Sequence, residues 1–136
     1  MQASIQETID YFSLNGLVYR DADVTVNKVY DGDSITLILP FAGKMYKWRC
    51  RLLGIDTPEI RGGTTATKEK GYAARDVLRD ILMDTDNLTS IVVSCHEFDK
   101  YGRVLIRLSV NHKKYGAIGD VSTWLVENGY GEAYMV

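Results

Sequence analysis

Five strand-like runs of period two, a long amphipathic stretch between the third and fourth, and a capped helix near the C-terminus predict an α+β fold that is mainly β. The expected architecture is a five-stranded Greek-key barrel of the OB type with packed helices. The 136 residues are the size of one domain, enough to bury a core without staples. An apolar fraction of 46% and a charged fraction of 25% are those of an ordinary globular chain. The net charge of −2 is not that of a basic nucleic-acid coat protein. Any nucleic-acid contact must therefore come from a local patch.

Residues 4–13 read as a short helix. Ser4 and Glu7 form a capping-box pattern, and Ile5, Ile9 and Phe12 fall on one stripe. "NGLVYRDAD" breaks it. Then "VTVNKVY" and "SITLIL" flank Asp31-Gly32-Asp33, and "PFAGK" turns the chain into "MYKWRCRLLGI", a three-stranded meander. Alternation puts Tyr46, Trp48, Cys50 and Leu52 on an apolar face and Lys47, Arg49 and Arg51 on the other. That cationic row is either a solvated face or a phosphate track. Residues 57–65 are loop-like. Residues 66–83 return to helical spacing, with Ala73, Ala74, Val77, Leu78, Ile81 and Leu82 as a stripe for packing on a sheet. "SIVVSCHEF" and "RVLIRLSV" are two more strands joined by "DKYG". Asp120 caps a last helix carrying Val121, Trp124 and Leu125, with Gly129 as its stop.

Cys50 and Cys95 lie in apolar runs and read as buried thiols, with a disulfide as the alternative. No apolar run approaches the ~18 residues of a membrane span. The start, "MQASIQETIDYFSLNG", has neither the basic nor the long apolar region of a signal peptide. The expectation is an intracellular, cytoplasmic protein with no membrane partner.

The chemistry-bearing groups stand at strand ends. If the first three strands form a meander, Asp33 at the entry of the second and Asp56 after the third converge at one end. Two hard oxygen ligands with an open side suit Ca²⁺ or Mg²⁺. Neither thiolates nor a histidine cluster are at hand for zinc. Arg51 and Arg103 are permanent cations shaped to grip phosphate. Glu59 is a spare carboxylate for a water. Together they suit phosphodiester hydrolysis. "DGD", "DTPE" and "DKYGR" are each ordinary turns when taken singly; their joint occurrence between strands carries the functional reading.

The pieces "VNKVYDGDSITL", "RCRLLGIDTPEI", "DKYGRVL" and, more loosely, "WLVENGYGEAY" run in order over about residues 23–134. In this the chain resembles the staphylococcal nuclease (thermonuclease) family, OB-fold enzymes with Ca²⁺-dependent nuclease activity. The resemblance implies an N-terminal extension over 1–22 and a nuclease-like domain over 23–136. It implies Ca²⁺ held by Asp33, Asp56 and the carbonyl of Thr57, with Asp31 reaching the metal through water. Glu59 would activate or position the attacking water, and Arg51 and Arg103 would hold the scissile phosphate. Lys100 and Tyr101 would contact a neighbouring phosphate, and Tyr134 would lie near a base. The implied reaction cuts DNA or RNA at the 5′ oxygen and leaves 3′-phosphate ends. A catalytically silent domain that binds nucleic acid or protein is the alternative.

The chain departs from the family in four places, one of them the stretch before Tyr134, which is one residue short. Gly71-Tyr72-Ala73-Ala74 stands where the family often has "GPEA". "RGGTTATKEK" replaces a lysine-bearing flap, with Arg61, Lys68 and Lys70 as substitutes. The C-terminal helix of the staphylococcal enzyme has no counterpart before Val136. The helix over 4–13 is expected to cover the barrel in its place as part of a monomer, or else to mediate a dimer.

Overall fold

The structure, a computed structural model, describes residues 13–134. The helix expected over 4–13, with its covering or dimer-forming role, lies outside them apart from Ser13. The strands are β1 Val18–Arg20, β2 Thr25–Asp31, β3 Ser34–Phe41, β4 Lys44–Leu52, β5 Ile55–Asp56, β6 Leu88–Phe98, β7 Val104–His112, β8 Gly116–Ile118 and β9 Glu132–Ala133. The helices are α1, Thr65–Met83, and α2, Val121–Glu127.

The five expected strands are β2, β3, β4, β6 and β7. The strand count itself needs correction, because β1, β5, β8 and β9 add two or three residues each. Segments so short show no period, so pattern reading passes over them.

The main sheet runs β1-β6-β7-β4-β3-β2, with β8 beside β7 and a separate β5–β9 pair. All its pairings are antiparallel except β4 with β7. The two ends of this order, β1 and β2, are nearly continuous in the chain. Laid flat, five inter-strand steps would part them by ~24 Å. The five residue steps from Arg20 to Thr25 reach at most ~18 Å fully extended, and a 3₁₀ turn at Asp21–Asp23 shortens them further. The sheet must therefore curl into a barrel.

Inside it lie Val29, Ile35, Leu37, Leu39, Cys50, Leu52, Val93, Cys95, Ile106 and Leu108, all buried. β3 and β4 join through Ala42-Gly43, both at positive φ (50° and 80°), which matches the twist of a tight hairpin. On β4 the expected apolar face holds at Cys50 and Leu52 but fails at Tyr46, which is 41% exposed. Trp48 is half-buried against the edge of Phe41. Both cysteines are free. Burial pushes the Cys50 thiol up to about 12 and the Cys95 thiol up to about 11, so both stay protonated and unreactive.

α1 is capped by Thr64, whose side chain accepts from the Thr67 amide. Its buried face is Gly71, Ala74, Leu78, Ile81 and Leu82, and Ala73 is exposed, contrary to the expected stripe. The reason is the first half of the helix, which packs on a loop rather than on the sheet. A Cβ on Gly71 would lie 2.6 Å from the Pro58 carbonyl oxygen. α2 is capped by Asp120 as expected, and the Tyr130 amide closes onto the Leu125 carbonyl past Gly129 at φ 80°.

Candidate active site

The β2–β3 turn, Asp31-Gly32-Asp33, sits where α1 and the loop after β5 meet. A Cβ on Gly32 would lie 2.7 Å from both the Ala74 Cβ and the Thr57 Cγ2. Only glycine lets these three segments close on one another. The Leu52 amide donates to the Asp33 carbonyl at 2.8 Å, and the Thr57 amide donates to Asp33 Oδ2 at 3.2 Å. Asp33 is thereby tied to both ends of the "RLLGIDT" segment. β5 is held from its other side by β9, where the α-carbon of Gly131 closes on the Asp56 carbonyl.

Arg51 leaves β4 into this junction. Its Nη2 donates to Asp56 Oδ1 at 2.6 Å, and its Nη1 lies 3.1 Å from Asp33 Oδ2. The second approach lacks a hydrogen-bonding angle, so Nη1 is a buried donor without a proper acceptor. Arg51 and Asp33 are largely covered, with 15% and 13% of their side chains exposed, whereas Asp56 is open. One guanidinium thus draws together the two carboxylates expected to converge. Beside them Asp31 is half-buried. Burial, and then the charge of Asp33, raise its carboxyl above the usual range against the pull of Arg61, Arg75 and Arg103.

Arg103 arrives from the turn before β7. That turn is built on Asp99, which the sequence pattern did not single out. Asp99 Oδ1 accepts the amides of Tyr101 and Arg103 at 2.9 Å each, and Oδ2 accepts Arg103 Nε at 2.7 Å. Burial disfavours its charge, but these donors outweigh it and hold the carboxyl below the usual range. An aspartate two residues ahead of its own turn amides is a signal that could have been read. With Nε occupied, Arg103 directs Nη1 to within 3.5 Å of Ser34 Oγ.

Asp31, Asp33, Arg51, Asp56, Thr57, Glu59 and Arg103 all line one cleft of about 510 Å³. Among the described residues the Glu59 carboxylate makes no hydrogen bond or ion pair. Tyr134 lies with its ring centre 5.7 Å from the Arg51 guanidinium, and Tyr101 lies 5.6 Å from that of Arg103. Lys100 stands over the other aromatic, 5.1 Å from Tyr101. Six of the nine expected site residues line one cleft, Tyr134 and Tyr101 stand beside two of its arginines, and Lys100 stands beside Tyr101. Among the described residues no group of three or more His, Cys, Asp or Glu side chains is arranged to hold a metal. The hard-oxygen donors are the pair Asp33 and Asp56, supplemented by backbone carbonyls. No described helix is long and apolar enough to cross a membrane.

An uncharacterized protein of Methanocaldococcus jannaschii is 33% identical over 129 residues, a match covering 81% of this chain and 58% of that relative. The chain therefore spans little more than half the length of the relative it matches. The staphylococcal nuclease homologue family matches residues 49–136. That span contains every expected site residue but Asp31 and Asp33, and the barrel brings Asp33 back to Arg51. On this match the chain belongs to the staphylococcal nuclease homologue family.

Proposed function

We propose that the chain is a nuclease that hydrolyses phosphodiester bonds of DNA or RNA at the 5′ oxygen, leaving 3′-phosphate and 5′-hydroxyl ends. The observation that carries this reading is the convergence of Asp33, Asp56, Arg51, Glu59 and Arg103 on one cleft from separate turns and strands.

The donor set fits Ca²⁺. Two carboxylates already gather around one positive charge; Asp33 and Asp56 would hold the ion, with the Thr57 carbonyl and water as further oxygen donors. When bound, such an ion neutralises charge on the phosphate oxygens. The rest falls to the chain. Glu59 is free to accept a proton from water attacking phosphorus, as the bond to the 5′ oxygen breaks and that oxygen takes up a proton from solvent. Arg103, held at Nε by Asp99, keeps its Nη atoms for phosphate. Arg51 is a second guanidinium, whose unsatisfied Nη1 is a donor looking for an oxygen. Both favour the extra negative charge of the five-coordinate transition state.

The test is digestion of single-stranded DNA and RNA with Ca²⁺, with Mg²⁺ and with chelator, followed by end-group analysis. Cutting in Ca²⁺ that chelator abolishes, with 3′-phosphate ends, is expected. Absence of cleavage by folded protein in Ca²⁺ would sink the proposal and favour a silent binding domain.

A further inference from the structure

A second and larger cleft, about 870 Å³, opens beside the first and shares Asp31, Ser34, Glu59 and Arg103 with it. It runs between β2, the inner end of β4 and α1. None of Lys100, Tyr101 and Tyr134 lines it. Its walls carry six cationic side chains against two carboxylates, Asp31 and Glu59, in a chain whose net charge is −2. An ordinary solvated face mixes the two signs. Here positive charge is concentrated where the rest of the surface would dilute it.

The cations are also set in an unusual way. Arg75 and Arg79 stand one turn apart on α1, a like-charge spacing that costs helix stability. They share one acidic neighbour, Asp76. Arg79 Nη2 is anchored on the Val29 carbonyl at 3.2 Å, which fixes it over β2. Arg61, across the cleft on the loop, makes no hydrogen bond or ion pair among the described residues.

Two tyrosines complete the lining. Tyr30 is 44% exposed and Tyr72 is 42% exposed. Each ring lies beside a cation: Lys28 is 4.5 Å from the centre of Tyr30, and Arg75 is 4.6 Å from that of Tyr72. Exposed aromatic faces in a basic groove suit unpaired bases, because every base has a face to stack and a strand brings its phosphates alongside. A duplex hides those faces.

We infer that this second cleft is an extended subsite for a single-stranded polynucleotide. Arg61, Arg75 and Arg79 take its backbone phosphates, and Tyr72 and Tyr30 stack its bases. The placement rests on the nuclease reading in one respect: a strand lying here would lead its scissile phosphate to Arg103. It predicts that strands of several nucleotides are better substrates than a dinucleotide.

The experiment uses the full chain in chelator, so that nothing is cut. A fluorescein-labelled single strand of about twelve nucleotides, within the reach of one such barrel, is titrated by anisotropy at several salt concentrations beside a duplex of equal length. The variant Arg61→Gln/Arg75→Gln should flatten the slope of log affinity against log salt by about 1.4, or ~0.7 for each single-strand phosphate that is no longer neutralised. Tyr72→Ala should weaken single-strand binding about fivefold or more with the slope unchanged. The duplex should not respond to Tyr72→Ala. Melting curves verify each fold, and Arg61→Gln alone keeps the test open if the double variant unfolds. Wild-type affinity and slope in folded Arg61→Gln and Tyr72→Ala would overturn the inference, whether or not the protein cleaves. Sensitive binding without any cleavage in Ca²⁺ would leave the subsite standing and remove only the nuclease reading.

Discussion

Asp31 and Asp80 are both partly covered carboxylates near cations, yet their environments push them in opposite directions. Asp80, on α1, accepts a short hydrogen bond from the Tyr115 hydroxyl and another from Lys114 Nζ at 3.0 Å. The bond from Tyr115, and then that from Lys114, hold its carboxyl below the usual range. Next to it, buried His112 accepts the amides of Lys114 and Tyr115 at Nδ1, which leaves the proton on Nε2 to meet the Asp80 carbonyl at 3.2 Å. Every polar group in that cluster has its partner. The Asp31 carboxylate accepts no hydrogen bond among the described residues, and burial and Asp33 raise its carboxyl. Close by, Arg51 keeps a buried nitrogen without an acceptor. The first cluster closes on itself and staples α1 to the β7–β8 turn. The second is incomplete from within, the condition of a place built for something else to enter.

The contrast can be broken by changing one side at a time. On the incomplete side the largest effect should come from Glu59→Gln, which removes a proton acceptor that supports nothing else. Its cleavage rate should fall by about 10²–10⁴-fold, and its melting temperature should match wild type. Near-full activity in this variant would remove Glu59 from the reaction.

On the closed side Asp80→Asn should do the reverse, lowering stability by about 1 kcal/mol after discounting for solvent screening and leaving cleavage alone. The pH dependence follows from the direction of its shift. A depressed carboxyl contributes above its unfolded value, near 3.9, and loses that contribution as pH falls through its lower folded value. The gap in melting temperature between wild type and variant should therefore hold at neutral pH and close only in strong acid. A gap that closed near neutrality would place the stabilisation elsewhere.

The smallest effect sharpens the comparison most. Asp31→Asn removes a charge that the fold disfavours, so it should raise stability slightly at neutral pH, within about 0.5 kcal/mol. A raised carboxyl binds its proton more tightly in the folded state, so the wild type gains stability as pH falls through the folded value. The advantage of the variant should shrink over that range and vanish below about pH 4. A loss of stability at neutral pH would mean that Asp31 makes an interaction its surroundings do not suggest.

Much of this was legible in the chain. Period-two runs located β2, β3, β4, β6 and β7, and strand ends that break into charge pointed to residues that the fold gathers at one cleft. What escaped has physical causes. Tyr46 obeys the alternation of β4, but the barrel wall ends before it, and a pattern does not say where the core stops. Ala73 lost its place to Gly71 because the helix meets a loop there at a distance that only a missing side chain allows. Arg61 was read as a substitute for the flap, but the second cleft it faces was invisible because Arg75, Tyr30 and Tyr72 are ordinary residues on their own elements. They matter only through what faces them, and facing is a property of the closed barrel.

The one parallel pairing among the described residues of the main sheet has a consequence for timing. Cys50 pairs with Val104, so Arg51 and Arg103 flank a pairing between strands far apart in the chain. Such pairings form late, because the loop between them must be ordered before they return any stability. The hairpins of β2, β3 and β4 are local and can form on their own, but they hold Arg51 without Arg103. A chain still being synthesised, or one caught partly unfolded, therefore has Arg51 and Asp33 without the second guanidinium, and Asp56 without the β9 strand that holds it. The two arginines come together only when the barrel closes, which makes the complete site a property of the finished fold and of nothing that precedes it.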